Sequence, residues 1–228
     1  MTREADYDTP AETDQGIEPG PAKRWRPRPR ALDPTLVLRL AGHRPPTPAT
    51  APIRDAARRM AEHAAALVAI EAWWRAVRVS EASETGVRLE GSSRFSGRAV
   101  GAHLAGCRLA VAFVLTIGPA LEAEVTALDQ AREPLDALFL DTAGWGAIED
   151  AVRRLRLDLR ARARLQGGRL SHRLAPGYAD WPLQEQSTLL RLLGPGPLPV
   201  RLTEHGVLVP FKSITGLFSL RTGGTREA

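Results

Sequence analysis

The chain of 228 residues contains a single cysteine and almost no lysine, and both shortages limit what it can be. Its one cysteine, Cys107, excludes an internal disulfide and a cysteine-based metal cage. Because Cys107 stands just before a solid apolar run, we expect a buried structural thiol. Arginine supplies nearly all the positive charge, and the net charge is +5 at pH 7. An anionic partner would explain this excess, but we prefer a solvated, arginine-rich surface as its explanation.

Long hydrophobic runs are also missing. No apolar stretch approaches the roughly 18–20 residues that are needed to span a bilayer. The first residues, MTREADYDTPAETDQG, are acidic and polar, unlike a secretory signal. We therefore expect a cytoplasmic protein without a membrane partner.

The common catalytic motifs are absent as well. The sequence has neither a glycine-rich phosphate loop nor a Gly-x-Ser-x-Gly elbow. Its five histidines show no metal-binding spacing, and they are His43, His63, His103, His172 and His205. These absences remove the usual kinase, hydrolase and zinc-enzyme hypotheses.

Composition divides the chain into an arm, one domain and a tail. Residues 1–31 have no periodic apolar pattern, and the prolines of KRWRPRPR, residues 23–30, lack backbone donors. We predict a disordered arm over residues 1–31, a folded domain over residues 32–221 and a frayed tail over residues 222–228. The basic arm raises the hypothesis of nucleic-acid binding. We prefer a solvated tail and expect no nucleic-acid partner.

Helix and strand patterns in the domain do not alternate regularly, which favours an α+β fold over a doubly wound sheet. Asp33 and Pro34 predict the start of a first helix. Further helices are predicted from the spacing of apolar residues, and strands from alternation or solid apolar runs. The main predictions are a helix over residues 53–70, strands near residues 77–89, a buried strand over 109–116, the longest helix from Asp136 to about Leu165, and a hairpin around residues 204–206.

The segment RLAPGYADWPLQEQ, from Arg173 to Gln186, is the best candidate for a binding site. The planar guanidinium of Arg173 can hold a carboxylate with two hydrogen bonds. Gly177 lets the backbone approach a ligand closely, and Tyr178 offers a flat ring and a hydroxyl. Asp180 is expected to cap the helix that follows it. The segment therefore predicts a turn that binds a nucleotide or an amino acid, although Tyr178 also fits a core tyrosine that closes a turn.

An ordered set of segments resembles the activation-domain family of cobalamin-dependent methionine synthase, and most closely its small stand-alone members. The segments are VLRLAGHR, AGCRLAVAFVLTIGPALEAEV, LFLDTAGWGAIEDAV, and RLAPGYADWPLQEQSTLLRLLG followed by VRLTEHGVLVPFKSITGLFSL. The resemblance covers about residues 32–220. It implies a single α+β domain in which helices flank a twisted, mainly antiparallel sheet.

The resemblance also implies a function. Members of the family bind S-adenosylmethionine and present its methyl group to cobalamin on a partner protein, where flavodoxin or a similar reductant supplies one electron. The partner would be a cobalamin-dependent methionine synthase or another corrinoid protein, and any methyltransferase activity would need that partner. Carried over by position, the residues that bind S-adenosylmethionine are Arg173, Ala175, Gly177 and Tyr178.

A carboxylate of the long helix also contacts the ligand in the family. Asp141 and Glu149 are the candidates on that helix, with Glu204 of the hairpin as a third, and we favour Glu149. The chemistry of the ligand agrees with these residues, since its carboxylate suits Arg173. We predict no catalytic residue, because the cofactor carries the reaction and the protein positions the ligand.

The chain departs from the family pattern in two respects. The fused activation domains are longer, and an N-terminal acidic residue and an aromatic residue beyond the last strand contact the ligand there. Neither has a match in this sequence. Trp145 stands where many relatives have a small polar residue, and it either narrows the pocket or fills the core. These departures motivate a second hypothesis, a non-catalytic docking module for a corrinoid methyltransferase with a degenerate ligand site.

Overall fold

The computed structural model describes residues 16–43 and 49–222. Two single-turn 3-10 helices, Glu90–Ser92 and Leu183–Glu185, accompany the longer elements. In chain order these elements are β1 (Lys23–Trp25), α1 (Pro34–Leu40), α2 (Ala51–Leu67), β2 (Glu71–Ser83), β3 (Gly86–Leu89), β4 (Arg94–Ser96), α3 (Arg98–Leu104), β5 (Leu109–Thr116), α4 (Ala120–Gln130), α5 (Pro134–Leu165), β6 (Gly168–Leu174), α6 (Gln186–Leu192), β7 (Arg201–Leu202), β8 (Leu208–Val209) and β9 (Ser213–Thr222).

Seven strands form one sheet in the order β4-β3-β2-β5-β9-β6, with β1 beside the first half of β2. The pairings between these strands are antiparallel. Strand β5 pairs along its whole length with β2 on one side and β9 on the other. This central position explains the solid apolar run of β5, since a strand covered on both faces has no polar side.

Helices cover both faces of the sheet. One core contains Phe113 and Phe218, whose rings stack with centroids 4.9 Å apart, and it packs against α1, α2 and α5. The other core contains Val114 and Leu217 and packs against α3 and α6. Successive residues of β5 and β9 thus enter opposite cores, as the two-residue period of a strand requires. The predicted α+β fold, a mainly antiparallel sheet flanked by helices, is confirmed.

The structure differs from the predicted disordered arm in residues 16–31. Strand β1 pairs with β2, and the side chain of Ile17 is buried in the core. Arg24 and Arg26 both form ion pairs with Glu71. The prediction failed because it gave too much weight to the prolines of KRWRPRPR, the first of which, Pro27, follows the end of β1 at Trp25. Residues 1–15 of the predicted arm and residues 223–228 of the predicted tail lie outside the described residues.

Several local predictions agree with the structure, and one needs correction. Asp33 caps α1, since its Oδ1 accepts a hydrogen bond of 2.8 Å from the backbone N–H of Thr35, and Cys107 is buried. The predicted hairpin is reduced to β7 and β8, with two residues each. The apolar run that follows it is instead β9, which lies between β5 and β6 in the main sheet.

Across residues 16–43 and 49–222, none of the helices is both long enough and apolar enough to span a bilayer.

Candidate functional site

Strand β6 brings Arg173 to the edge of the sheet beside α5. Arg173 lies opposite Phe218 of β9, after a shift in register between Leu170 and Arg173. A methyl group at Gly216 would come within 3.0 Å of the Arg173 Cγ, so the absence of a side chain at Gly216 leaves room for the arginine stem. The stem is therefore held against the sheet, and only 17% of the side chain is exposed.

Arg173 and Glu149, two of the predicted site residues, lie together. The Nη2 of Arg173 is 3.4 Å from the Oε1 of Glu149, and the Glu149 side chain is 61% exposed. The Nη1 of Arg173 is buried and has no hydrogen-bond partner among the described residues. A buried donor without a partner costs about 1–3 kcal/mol. Arg173 thus retains a donor for a ligand next to a carboxylate that is free to move.

The turn after β6 brings Ala175, Gly177 and Tyr178 next to Arg173 in the chain. The carbonyl oxygen of Ala175 accepts a hydrogen bond from Tyr178 (3.1 Å), and the N–H of Gly177 donates to the carbonyl oxygen of Trp181 (2.8 Å). Gly177 has φ +87°, in the left-handed region that favours glycine. The side chain of Tyr178 is 56% exposed, so Tyr178 is not the core residue that its alternative interpretation requires.

Asp180 and Trp181 anchor this turn to the opposite side of the sheet. Asp180 accepts hydrogen bonds from the first two N–H groups of α3, Arg98 (2.7 Å) and Ala99 (2.9 Å). These backbone donors hold the pKa of Asp180 below its ordinary value. The prediction that Asp180 caps the following helix is wrong, because Asp180 caps a helix about eighty residues earlier in the chain. Trp181 is 1% exposed and packs edge-on against Phe95, with ring centroids 5.3 Å apart.

A small, basic cavity of about 280 Å³ lies beside Arg173, and we call it the α5–β6 pocket. Arg156 donates a hydrogen bond of 3.1 Å to the Nδ1 of His172 at this pocket. His172 is exposed and lines the pocket together with Arg173. The pocket is lined by Glu149, Val152, Arg153, Arg156, His172, Arg173 and Phe218.

An aromatic and charged cluster lies further along α5. Lys212, the residue before β9, is 1% exposed, and its Nζ is 2.6 Å from the Oδ1 of Asp141. The same Nζ lies 4.6 Å from the centroid of the Trp145 ring. Trp145 contacts Phe211 edge-on, and both aromatic side chains are exposed. Gly144 makes room for the buried lysine, because a methyl group there would lie 2.5 Å from the Lys212 Cε.

The two clusters lie on one face of α5. Trp145 precedes Glu149 by four residues, and Asp141 precedes Trp145 by four, so each pair is one helical turn apart. Asp141 forms an ion pair with Lys212, whereas Glu149 pairs with Arg173. Glu204, the third acidic candidate, is an exposed hairpin residue that pairs with His205.

A larger cavity of about 720 Å³ lies on the α3 side of the turn. It is lined mainly by alanine and glycine, and its polar residues are Ser83, Glu84, Arg98 and Asp180. The oxygens of Asp180 are already occupied by the N–H groups of α3. This lining is therefore mostly apolar, whereas three guanidinium groups line the α5–β6 pocket.

Sequence reasoning missed Lys212, Phe211 and Arg156. Lys212 is one of two lysines in the chain and stands in the apolar stretch LVPFKSITGLF, which was a usable signal for a special role. Arg156 follows Glu149 by seven residues, which places it two turns further on the same helical face. Nothing local separates Arg156 from the other arginines of α5, so only its position beside β6 distinguishes it.

Comparison with known proteins shows which solved structure this fold resembles. No family model matches the chain, and no curated protein sequence matches it. Among solved structures, the chain resembles the MetH reactivation domain bound to AdoHcy, with a TM-score of 0.62 and 13% sequence identity. The match covers 97% of this chain and 85% of that one. The fold that the sequence resemblance implied is therefore confirmed: this chain has the fold of the MetH reactivation domain.

Proposed function

We propose that this chain is an S-adenosylmethionine-binding reactivation subunit for a cobalamin-dependent methionine synthase. In this role it holds S-adenosylmethionine at the turn after β6 and presents the methyl group to cobalamin on a partner protein. The observation that carries the proposal is the pairing of Arg173 with Glu149 beside that turn, in a chain with this fold. AdoHcy, the ligand of the structural neighbour, is what remains when S-adenosylmethionine loses its methyl group.

Arg173 and Glu149 match the amino-acid end of the ligand in charge. The free carboxylate of the ligand accepts hydrogen bonds from the Nη1 of Arg173, which is buried and without a partner among the described residues. The ammonium group of the ligand donates to Glu149, whose side chain is largely exposed and moves at little cost. The long contact of 3.4 Å between the two side chains leaves both available for these shorter bonds.

The turn orients the remainder of the ligand. Hydrogen bonds within the turn use the carbonyl oxygen of Ala175 and the N–H of Gly177, so these residues hold its shape. The exposed ring of Tyr178 offers a face for the cationic sulfonium. The nucleophile for the methyl group would come from cobalamin bound to the partner, with one electron supplied by a flavodoxin-like protein. The task of this chain is to position that group and exclude water.

Titration calorimetry with S-adenosylmethionine tests the binding step. The wild type is expected to bind, and Arg173→Gln to bind roughly 10- to 100-fold more weakly, because a hydrogen bond to a charged group contributes about 1.5–3 kcal/mol. Arg169→Gln is the matched control, since Arg169 lies on the same strand and is exposed. It should bind like the wild type. No heat from the wild type at millimolar ligand, with and without the corrinoid partner, would disprove the proposal.

The exposed aromatic pair favours a second candidate function, docking without ligand binding. The ammonium of Lys212 lies over the Trp145 ring and reduces the attraction of that ring for a second cation such as a sulfonium. Trp145 and Phe211 are then free to pack against a corrinoid protein. Under this alternative, a cobalamin-bearing methionine synthase fragment binds equally well with and without S-adenosylmethionine, and Phe211→Ser weakens that binding. The first candidate predicts instead that S-adenosylmethionine tightens it.

A further inference from the structure

The α5–β6 pocket holds more positive charge than one carboxylate requires. Three guanidinium groups line it, those of Arg153, Arg156 and Arg173, against the single carboxylate of Glu149. Arg153 is tied to Asp150 by an ion pair of 2.7 Å. Of the other two arginines, Arg173 has only the long contact of 3.4 Å to Glu149. Arg156 has no ion pair with a carboxylate among the described residues. The charge of the pocket therefore favours an oxyanion.

The contact between Arg156 and His172 leaves both side chains able to donate. A guanidinium cannot accept a hydrogen bond, so the Nδ1 of His172 must be the acceptor in this 3.1 Å contact. The neutral ring then carries its proton on Nε2, which is a donor. Arg156 uses one of its five N–H groups on His172 and keeps the others. Together with the Nη1 of Arg173, the pocket thus has donors on both α5 and β6.

The size of the pocket limits what enters it. Its volume of about 280 Å³ is at the lower end for ligand pockets, so it takes a small anion or the end group of a larger ligand. Arg156 lies about 10 Å along α5 from Glu149, on the side away from Trp145. The apolar side chains of Val152 and Phe218 complete the lining.

We propose that Arg156 and His172 form, with Arg173, an oxyanion-binding subsite in the α5–β6 pocket. The oxyanion comes either from the carboxylate of the proposed ligand or from free phosphate. If the oxyanion is the carboxylate of S-adenosylmethionine, the inference rests on the proposed function, and Arg156 helps to determine specificity for the amino-acid end of that ligand. The phosphate source does not depend on the proposed function.

The test titrates the full chain and Arg156→Gln with three probes: inorganic phosphate, S-adenosylmethionine and its decarboxylated analogue. If the oxyanion is phosphate, phosphate binds the wild type. Its affinity for Arg156→Gln is then about tenfold lower, because one charge-assisted hydrogen bond is lost. If the oxyanion is the carboxylate, S-adenosylmethionine loses about tenfold in affinity in Arg156→Gln, while the decarboxylated analogue binds both proteins equally.

Two further variants separate the subsite from general electrostatics. Arg160→Gln removes the same charge from the same helix one turn further on, at a residue that does not line the pocket, and should bind each probe like the wild type. Arg156→Lys keeps the charge but loses the planar fork, and should fall between the wild type and Arg156→Gln. Circular dichroism confirms that each variant is folded.

The outcomes separate this inference from the proposed function. If the wild type fails to bind S-adenosylmethionine but binds phosphate through Arg156, the proposed function is wrong and the subsite stands. If S-adenosylmethionine binds and neither it nor phosphate distinguishes Arg156→Gln from the wild type, the subsite is wrong and the proposed function stands. Equal losses in Arg156→Gln and Arg160→Gln overturn the subsite as well, because they reveal only a general effect of charge.

Discussion

Two residues of the segment from Arg173 to Gln186, one in each half, have opposite environments: Tyr178 in the first half and Trp181 in the second. In the first half, Tyr178 is 56% exposed, and Arg173 keeps a donor without a partner among the described residues. In the second half, Trp181 is 1% exposed, and both oxygens of Asp180 accept hydrogen bonds from α3. The first half faces α5, and the second is attached to the layer on the other side of the sheet.

This difference explains how a short turn beside the α5–β6 pocket is held in shape. Gly177 and Tyr178, two of the residues that we propose for binding, are exposed, so their position depends on the residues that follow. The hydrogen bond from the N–H of Gly177 to the carbonyl oxygen of Trp181 joins the two halves directly. A binding turn that is fixed from one side can leave its other side open.

Removal of the buried aromatic side chain should have the largest effect on stability. We expect Trp181→Ala to lower the free energy of unfolding by about 3–5 kcal/mol, because it empties a buried site against Phe95. Tyr178→Ala, in the exposed half, should change it by less than about 0.5 kcal/mol. Urea denaturation followed by circular dichroism measures both. Similar losses in the two variants would remove the distinction between the halves.

A smaller effect is expected at the junction between the halves. Gly177→Ala places a side chain on a backbone with φ +87°, which costs about 1–2 kcal/mol. The added methyl group meets Leu183 at an ordinary 3.4 Å, so the cost comes from the backbone and not from a clash. Gly196→Ala, at a glycine with open space around it, is the control and should lie within about 0.5 kcal/mol of the wild type. Equal values for the two variants in urea denaturation would contradict this account.

The smallest effect on stability is expected for Asp180→Asn, and it depends on pH. The pKa of Asp180 is lowered in the folded protein by the N–H groups of Ala99 and Arg98, so the ionised carboxylate stabilises the fold. This contribution is present above the unfolded pKa of about 3.9 and is lost as the pH falls through the lower folded pKa. We expect Asp180→Asn to be less stable than the wild type at neutral pH, with a gap that narrows in acid. Urea denaturation at a series of pH values measures the gap, and a gap that widens in acid would contradict the assignment.

Much of the fold was predictable because its signals are local. The solid apolar run of β5 predicted a buried strand, and the cap at Asp33 predicted the start of α1. The position of β9 was not predictable from local patterns, since a strand after a hairpin can join either the hairpin or a distant sheet. That residues 23–25 form a strand was missed for a related reason, because its partner β2 begins almost fifty residues later.

The candidate site was predictable only in part. The resemblance led to Arg173 and Glu149, and the structure brings them within 3.4 Å of each other. It did not lead to Arg156 or Lys212, whose roles depend on which elements pack beside α5. The role of Asp180 was misassigned because its partners on α3 lie far away in the sequence. The sequence therefore led to residues that lie together beside the pocket, but not to the residues that support them.

The most direct test of the central claim is a crystal structure of this chain with AdoHcy. The account predicts that the ligand carboxylate lies within hydrogen-bond distance of the Arg173 Nη1, with the amino group at Glu149 and the remainder of the ligand along the turn to Tyr178. A structure in which AdoHcy binds elsewhere, with Arg173 still paired to Glu149 alone, would contradict it.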